Sequence, residues 1–341
     1  MKKQKLLLCI LSIIFLISIF CLPVLSQNKQ SYNSNEIKLQ VGGIPFGAKI
    51  ISNGLTVVKF SSTDGENASS AYQAGIREGD IITKINEKEI NTVEDYVKII
   101  NKSGGNQLKF TVIRNQKELC FNVFPKYSNE DGKYKTGIWV KDSTSGIGTI
   151  TFIDPQTQEF GGLGHGICDS GTGKIVPIKQ GIVSNVTING VEKGQVGDAG
   201  ELKGSFNNQV IGSLTKNTAC GVFGKLLNGT YSSQELLPIC TKNQVKEGEA
   251  YIWCTLDGNG PQKYNIQICD IDTSGSNTKN FKIKITDSKL LELTGGIVQG
   301  MSGSPIVQNG KLVGAVTHVL ISDPTSGYGI FIENMLNQMK N

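Results

Sequence analysis

From about residue 130 onward, the sequence has no long run of helical period until its last dozen residues. Apolar segments there are short, as at 181–186, 210–214, 250–254 and 264–268, and turn residues separate them at close intervals. Short runs rich in Val, Ile and Thr, broken by Gly, Asn, Asp and Pro, build all-β sandwiches and barrels. Forty-one glycines fit strands joined by tight turns. The stretch 130–341 is long enough for two six-stranded barrels within one β domain. Its single candidate helix is C-terminal, over 330–339.

The segment before it alternates element types. Residues 55–60 read as a strand, and 68–74 as a short helix stopped by Gly75. Glu78-Gly79-Asp80 turns into a strand over 81–85, and 86–89 is a turn. Val93, Tyr96, Val97 and Ile100 follow i, i+3, i+4, i+7 spacing and mark one helix face. Asn91 with Glu94 supplies the N-terminal cap of that helix, and Gly104-Gly105 ends it. Strands over 108–114 and 118–124 complete an α/β module spanning 39–126.

The first residues bear on location. Lys2, Lys3 and Lys5 precede residues 6–25, which carry no charge. A stretch of about 20 apolar residues can span a bilayer, and lysines ahead of it direct the remainder out of the cytoplasm. Two readings of 1–26 stand: a membrane anchor, and a signal peptide cleaved near 25–27. Phe20 stands before Cys21, where a lipoprotein signal needs a small residue. Residues 27–38 are polar and Asn/Ser-rich, the composition of a flexible tether and an accessible cleavage site.

Gly300-Met301-Ser302-Gly303-Ser304-Pro305 is the candidate for chemistry, and it resembles the G-x-S-G-x-P turn around the nucleophile of chymotrypsin-like peptidases. Such a turn projects a serine hydroxyl while the N–H groups of Gly300 and Ser302 converge as an oxyanion hole. A nucleophilic serine needs a base. The chain has two histidines, His165 and His318. His165 lies among glycines in 160–167 and precedes the serine, as in the His…Asp…Ser order of that class. His318 sits in a strand-like run and reads as a wall or structural residue. In the interval between His165 and Ser302, Asp287 ends an alternating run, and Asp169, Asp198, Asp257, Asp270 and Asp272 are equally placed by composition.

Four segments together, 137–143, 146–149, 161–167 and 294–306, resemble the SpoIVB-type (stage IV sporulation protein B) serine peptidases of endospore-forming bacteria, over roughly 40–341. The resemblance implies His165 as base, Ser302 as nucleophile and Asp287 as the acidic member. It also implies two barrels whose cleft joins His165 to Ser302. Residues 74–82 (AGIREGDII, running into the 81–85 strand) are similar to PDZ domains of bacterial exported proteases, which add an extended peptide as a strand beside a helix. That likeness puts the carboxylate loop near Ile44, Pro45, Phe46, Gly47 and Ala48. No G-L-G-F sequence is present, so a free C-terminus and an internal segment both stand as ligands. The family resemblance implies a membrane-tethered endopeptidase of the forespore intermembrane space. It would cut its own tether and a membrane regulatory protein, and so license late mother-cell gene expression. Two other classes stay in view, a non-catalytic PDZ binding protein and a general envelope quality-control protease.

Composition argues against other partners. The formal net charge is +5, and Arg77 and Arg114 are the only arginines, so no Arg/Lys cluster suits nucleic acid. No Walker loop or dinucleotide fingerprint appears, and no cofactor is expected. Of eight cysteines, Cys9 and Cys21 lie in the apolar segment. Cys120, Cys168, Cys220, Cys240, Cys254 and Cys269 would be exported, as buried thiols or with one disulfide. There is no C-x-x-C pair, His165-x-x-Cys168 stands alone, and no metal site is expected.

Overall fold

The computed structural model describes residues 37–61, 69–169, 171, 173–227, 235–274 and 278–340. The apolar segment over 6–25, and the tether apart from 37 and 38, lie outside the described residues. The chain starts with strands β1 (Lys38–Val41) and β2 (Pro45–Phe60), helix α1 (Ser70–Ala74), β3 (Ile81–Ile85), β4 (Lys88–Glu89), helix α2 (Val93–Lys102), β5 (Leu108–Arg114), β6 (Lys117–Val123), β7 (Lys126–Ser128) and β8 (Lys133–Lys135). It continues through β9 (Ile138–Ile153), β10 (Glu159–Gly162), β11 (Gln180–Glu192), β12 (Glu201–Thr218), β13 (Gly221–Leu226) and β14 (Leu236–Pro238). It ends with β15 (Gly248–Cys254), β16 (Gln262–Cys269), β17 (Phe281–Ile285), helix α3 (Ser288–Thr294), β18 (Pro305–Gln308), β19 (Lys311–Leu320), β20 (Asp323–Phe331) and helix α4 (Ile332–Lys340).

The last six strands close into an antiparallel barrel in the order β15-β16-β17-β20-β19-β18. Period-two alternation fills it: Ala250, Ile252 and Cys254 from β15, Tyr264, Ile266 and Ile268 from β16, Phe281, Ile283 and Ile285 from β17 all point inward. The Phe281 and Phe331 rings meet with centroids 5.2 Å apart. Each buried Ile or Phe here stabilises the fold by about 1.5–3 kcal/mol relative to exposure.

A second ring precedes it. The strands run β9-β10-β13-β12-β11-β2, and β2 pairs with β9 as well as β11, so the six close on themselves. Its core holds Phe46, Ile50, Ile150, Phe160, Val183, Ile211 and Val222, with Phe46 and Phe160 edge-to-face at 5.7 Å. The mainly-β, double-barrel architecture expected from the sequence is therefore present. One of its strands, β2, comes from residues expected in the α/β module.

That strand corrects two expectations. The division into 39–126 and 130–341 is crossed by both β2 and β9. Pro45–Ile51 of β2 pairs with β11 and with 143–149 of β9, inside the barrel. Leu55–Phe60 of the same strand pairs with β3 and with 138–141 of β9, inside the module. Ile44, Pro45, Phe46, Gly47 and Ala48 accordingly form no carboxylate loop. Phe46 lies between Gly148 on one edge and Asn185 on the other, and it is fully buried. Ladder bonds on both edges leave no row of free N–H groups for a ligand.

The α/β module has its own core of Leu55, Val57, Ile76, Ile82, Ile85, Phe110, Val112 and Val123. Gly75 stops α1 in the left-handed region, as expected. Asp80 is buried, and both its oxygens accept from Arg114, at 2.6 Å each, with a third bond from the Arg77 N–H at 2.9 Å. These charge-assisted bonds offset the cost of taking the Asp80 carboxylate out of water. The α2 cap is Thr92, whose hydroxyl accepts from Asp95 N, rather than Asn91. At the C-terminus Ile330 and Phe331 belong to β20, so α4 starts at Ile332. The six described cysteines are free thiols, three of them buried.

Candidate active site

The turn carrying Ser302 is fastened from both barrels. Within its own barrel Ser304 N donates to Met301 O at 2.9 Å, Gly303 N donates to Val316 O at 2.8 Å, and Met301 is fully buried. Strand β9 of the other barrel supplies three bonds. Thr149 N donates to Ser302 O at 2.9 Å, Thr149 Oγ1 to Gly300 O at 2.8 Å, and Thr151 Oγ1 to Gly303 O at 2.8 Å. Both threonines are buried. With these carbonyls taken, the Gly300 and Ser302 N–H groups have no protein acceptor among the described residues. Two unengaged N–H groups beside a serine hydroxyl are the raw material of an oxyanion hole. The Ser302 hydroxyl donates to Thr317 O at 3.0 Å.

His165 follows β10 in a loop that meets the same place. A Cβ on Gly164 would lie 2.8 Å from Thr317 Cγ2, so the histidine loop abuts the residue that accepts from Ser302. His165 Nδ1 bonds to Gly166 O at 3.0 Å. A carbonyl only accepts, so Nδ1 carries the proton and Nε2 keeps its lone pair. Asn217 fixes the following residues: Ile167 N donates to its Oδ1, and its Nδ2 donates to Ile167 O and Val176 O, each at 2.8 Å. Burial pushes the His165 pKa below its ordinary 6.5, against a smaller upward pull from the Gly166 carbonyl.

The other histidine is part of this site. The His318 ring lies 5.1 Å from that of His165, and its buried Nδ1 has no hydrogen-bond partner among the described residues. Burial first, then the His165 and Lys279 charges, press its pKa down to about 4. The two imidazoles form one wall of a cavity of about 740 Å³ that also touches Gly146, Leu163, Cys168 and Gln299.

Asp287 stands elsewhere, which corrects its expected part in a triad. It is the N-cap of α3: its Oδ1 accepts from Leu290 N at 3.0 Å, and its Oδ2 from Asn265 N at 3.2 Å. His165 is not among these partners, and among the described residues burial and the Gly166 carbonyl account for the His165 shift. In the sequence Asp287 ends an alternating run, yet the start and stop signals of α3 are there as well. Asp287 precedes a run with Leu290, Leu291 and Thr294 on one face, and Gly295 follows. Thr149, Thr151 and Asn217 were not anticipated. The two threonines share a strand face by their spacing, but their partners lie 151 and 152 residues away.

The SpoIVB peptidase S55 family matches residues 132–336. The chain belongs to that family. A PDZ domain matches residues 62–114, which begin within the α/β module and take in α2 and β5. Among solved structures, the PDZ domain of the SdrC-like protein from Listeria monocytogenes is similar at 18% identity, over 27% of this chain and 93% of that one, with a TM-score of 0.23. The Rv3671c protease from M. tuberculosis in its active form is similar at 14% identity, over 58% of this chain and 74% of that one, with a TM-score of 0.32. The HtrA-type protease AlgW with a tripeptide is similar at 14% identity, over 57% and 55%, with a TM-score of 0.34. This S55 peptidase is thus a serine endopeptidase with a PDZ domain, and a protein or peptide is its substrate.

Proposed function

We propose that Ser302 is the nucleophile and His165 the general base of this serine endopeptidase. The observation that carries the reading is the meeting of the two loops at Thr317, with the Ser302 turn clamped by β9. The Ser302 hydroxyl turns from Thr317 O toward Nε2 of His165, which the Nδ1 bond to Gly166 O leaves as the acceptor. Oγ attacks the peptide carbonyl as Nε2 takes its proton, and the Gly300 and Ser302 N–H groups hold the oxyanion. The imidazolium then gives that proton to the leaving amine, and an acyl-serine forms. Water, deprotonated by the same Nε2, releases the acid and restores Ser302. The Gly166 carbonyl does the orienting usually left to a carboxylate.

The acid limb of kcat/KM follows from the His165 environment. Activity needs the neutral imidazole, and a lowered pKa keeps it neutral to lower pH. The midpoint of that limb is expected below 6.5 in a pH–rate profile on a peptide substrate. A midpoint above 6.5 would signal a carboxylate acting on the imidazole.

The wider role follows the family. The chain is exported through residues 6–25, cleaves its own tether within 27–36, and cuts a membrane regulatory protein in the forespore intermembrane space, which activates late mother-cell genes. Family membership and the polar composition of 27–36 support this reading. Intact mass of the full chain over time tests the self-cleavage. Trimming within 27–36 is expected in the natural chain and not in Ser302→Ala; equal trimming in both rejects Ser302 as nucleophile. Normal spore formation after deletion of the gene would reject the developmental role, and broad digestion of casein would favour envelope quality control.

A further inference from the structure

We infer that Leu202, on β12 of the N-terminal barrel, is a positioning residue for the oxyanion hole of the C-terminal barrel. The inference rests on the reading of Ser302 as nucleophile. The Gly300 N–H belongs to the peptide that joins Gln299 to Gly300. The carbonyl of that peptide, Gln299 O, accepts from Leu202 N at 2.9 Å, and Gln299 N donates to Gly200 O at 3.0 Å. Glu201 and Gln299 thereby pair as a parallel bridge between β12 and the run into the Ser302 turn. A trans peptide is planar and points its N–H opposite to its carbonyl. With Gln299 O fixed toward Leu202, the Gly300 N–H is turned the other way, where it meets no protein acceptor among the described residues. The buried Leu202 side chain backs the same peptide, since a Cβ on Gly300 would lie 3.1 Å from Leu202 Cβ.

The bond matters because the opposite orientation of this peptide is sterically open. Half a turn about its flanking bonds takes the Gly300 φ from +96° to the negative side, which every residue adopts. It would aim the negative end of the Gln299 carbonyl at the oxyanion and remove one of its two donors. The observed orientation is the one that glycine tolerates and other residues resist. What holds it comes from the other barrel. Leu202 follows the tip of the β11–β12 hairpin, and that tip is itself tied to the C-terminal barrel. Gly194 N donates to Thr294 O at 2.8 Å, and Gly197 N to Ile321 O at 2.9 Å. The oxyanion hole is therefore assembled from both barrels, with its donors from one and the orientation of the Gly300 donor from the other.

The test is the maximal rate of fluorophosphonate labelling of the full chain, the concentration that gives half of it, and the pH dependence of that rate. Leu202→Pro deletes the N–H that Gln299 O accepts. The maximal rate is expected to fall on the order of 10²-fold, as for the loss of one oxyanion donor, with the half-saturating concentration and the acid-limb midpoint unchanged. Those two constants report the cleft and His165, and a general loosening of the structure would move them. An unchanged maximal rate overturns the inference, and so does a loss accompanied by a shift in either constant. Should Leu202→Pro not fold, the α-hydroxy analogue of leucine placed at position 202 deletes the same N–H without added bulk, and the same outcomes apply. Ser302→Ala run alongside separates the two readings. Labelling that persists in Ser302→Ala rejects the nucleophile and this inference with it. Labelling lost there but natural in Leu202→Pro rejects the positioning role alone.

Discussion

Ser302→Ala is expected to lower kcat on a peptide substrate on the order of 10⁶-fold, while Asp287→Asn leaves kcat/KM within about threefold of the natural chain. The contrast comes from where the Asp287 oxygens go. They accept from Leu290 N and Asn265 N at the start of α3, and asparagine caps a helix as well as aspartate does. Asp287→Ala removes the cap and is expected to cost about 1 kcal/mol of stability, read as a lower midpoint in thermal or urea unfolding. A triad carboxylate behaves differently: its conversion to the amide leaves the wrong imidazole tautomer and costs about 10⁴-fold in kcat. In this chain the tautomer is set by the Gly166 carbonyl, which Asp287→Asn does not touch. A 10⁴-fold loss in Asp287→Asn with an unchanged unfolding midpoint would place that carboxylate back on His165. Labelling by a fluorophosphonate separates the variants directly, being absent in Ser302→Ala and retained in Asp287→Asn.

Local features of this chain were legible because their causes are local. The strand over 81–85, the helix stop at Gly75, the face of Val93, Tyr96, Val97 and Ile100, and the alternation of 250–254 and 264–268 all follow from periodicity and turn chemistry within a dozen residues. His165 and Ser302 stand out in the sequence as candidates because each sits in a glycine-rich turn that a core does not need. The parts that were not legible depend on distant pairing. Nothing local to Pro45–Ala48 tells a ligand loop from a barrel strand; the outcome is decided by strands far along the chain, with Ala48 opposite Gly146 of β9 and Val183 of β11. Thr149 and Thr151 look like ordinary strand threonines until the Ser302 turn arrives to accept from them. Asp287 is the instructive case. Its order along the chain matched a catalytic role, and its immediate context matched a helix cap. The local hydrogen-bonding demand of the α3 N–H groups won, because those donors are present wherever the helix forms.

The two barrels approach closely at Gly303, and Gly303→Ala is expected to disable the enzyme without touching a reacting atom. A Cβ there would lie 2.0 Å from Thr149 O and 2.5 Å from Leu163 N. Those two atoms are bonded to each other, N–H to carbonyl, at 3.2 Å, so the methyl group would enter a hydrogen bond that ties β9 to the loop leading to His165. Both neighbours are backbone and cannot swing aside. The residue also has φ at +95°, where any side chain is strained. Relief requires the Ser302 turn to move away from β9, which lengthens the Thr149 and Thr151 bonds and carries Oγ away from His165. A displacement of about 1 Å at a reacting group costs on the order of 10²-fold in rate, and the clash with strained backbone costs about 3 kcal/mol in stability. The expected result is at least a hundredfold slower fluorophosphonate labelling together with a lower unfolding midpoint. Gly258→Ala is the matched control, since a Cβ at Gly258 meets nothing within 4 Å. It is expected to label and unfold like the natural chain. Gly303→Ala labelling at the natural rate would mean that the two loops meet elsewhere than at Thr149 and Leu163, and the catalytic pairing of His165 with Ser302 would lose its structural support.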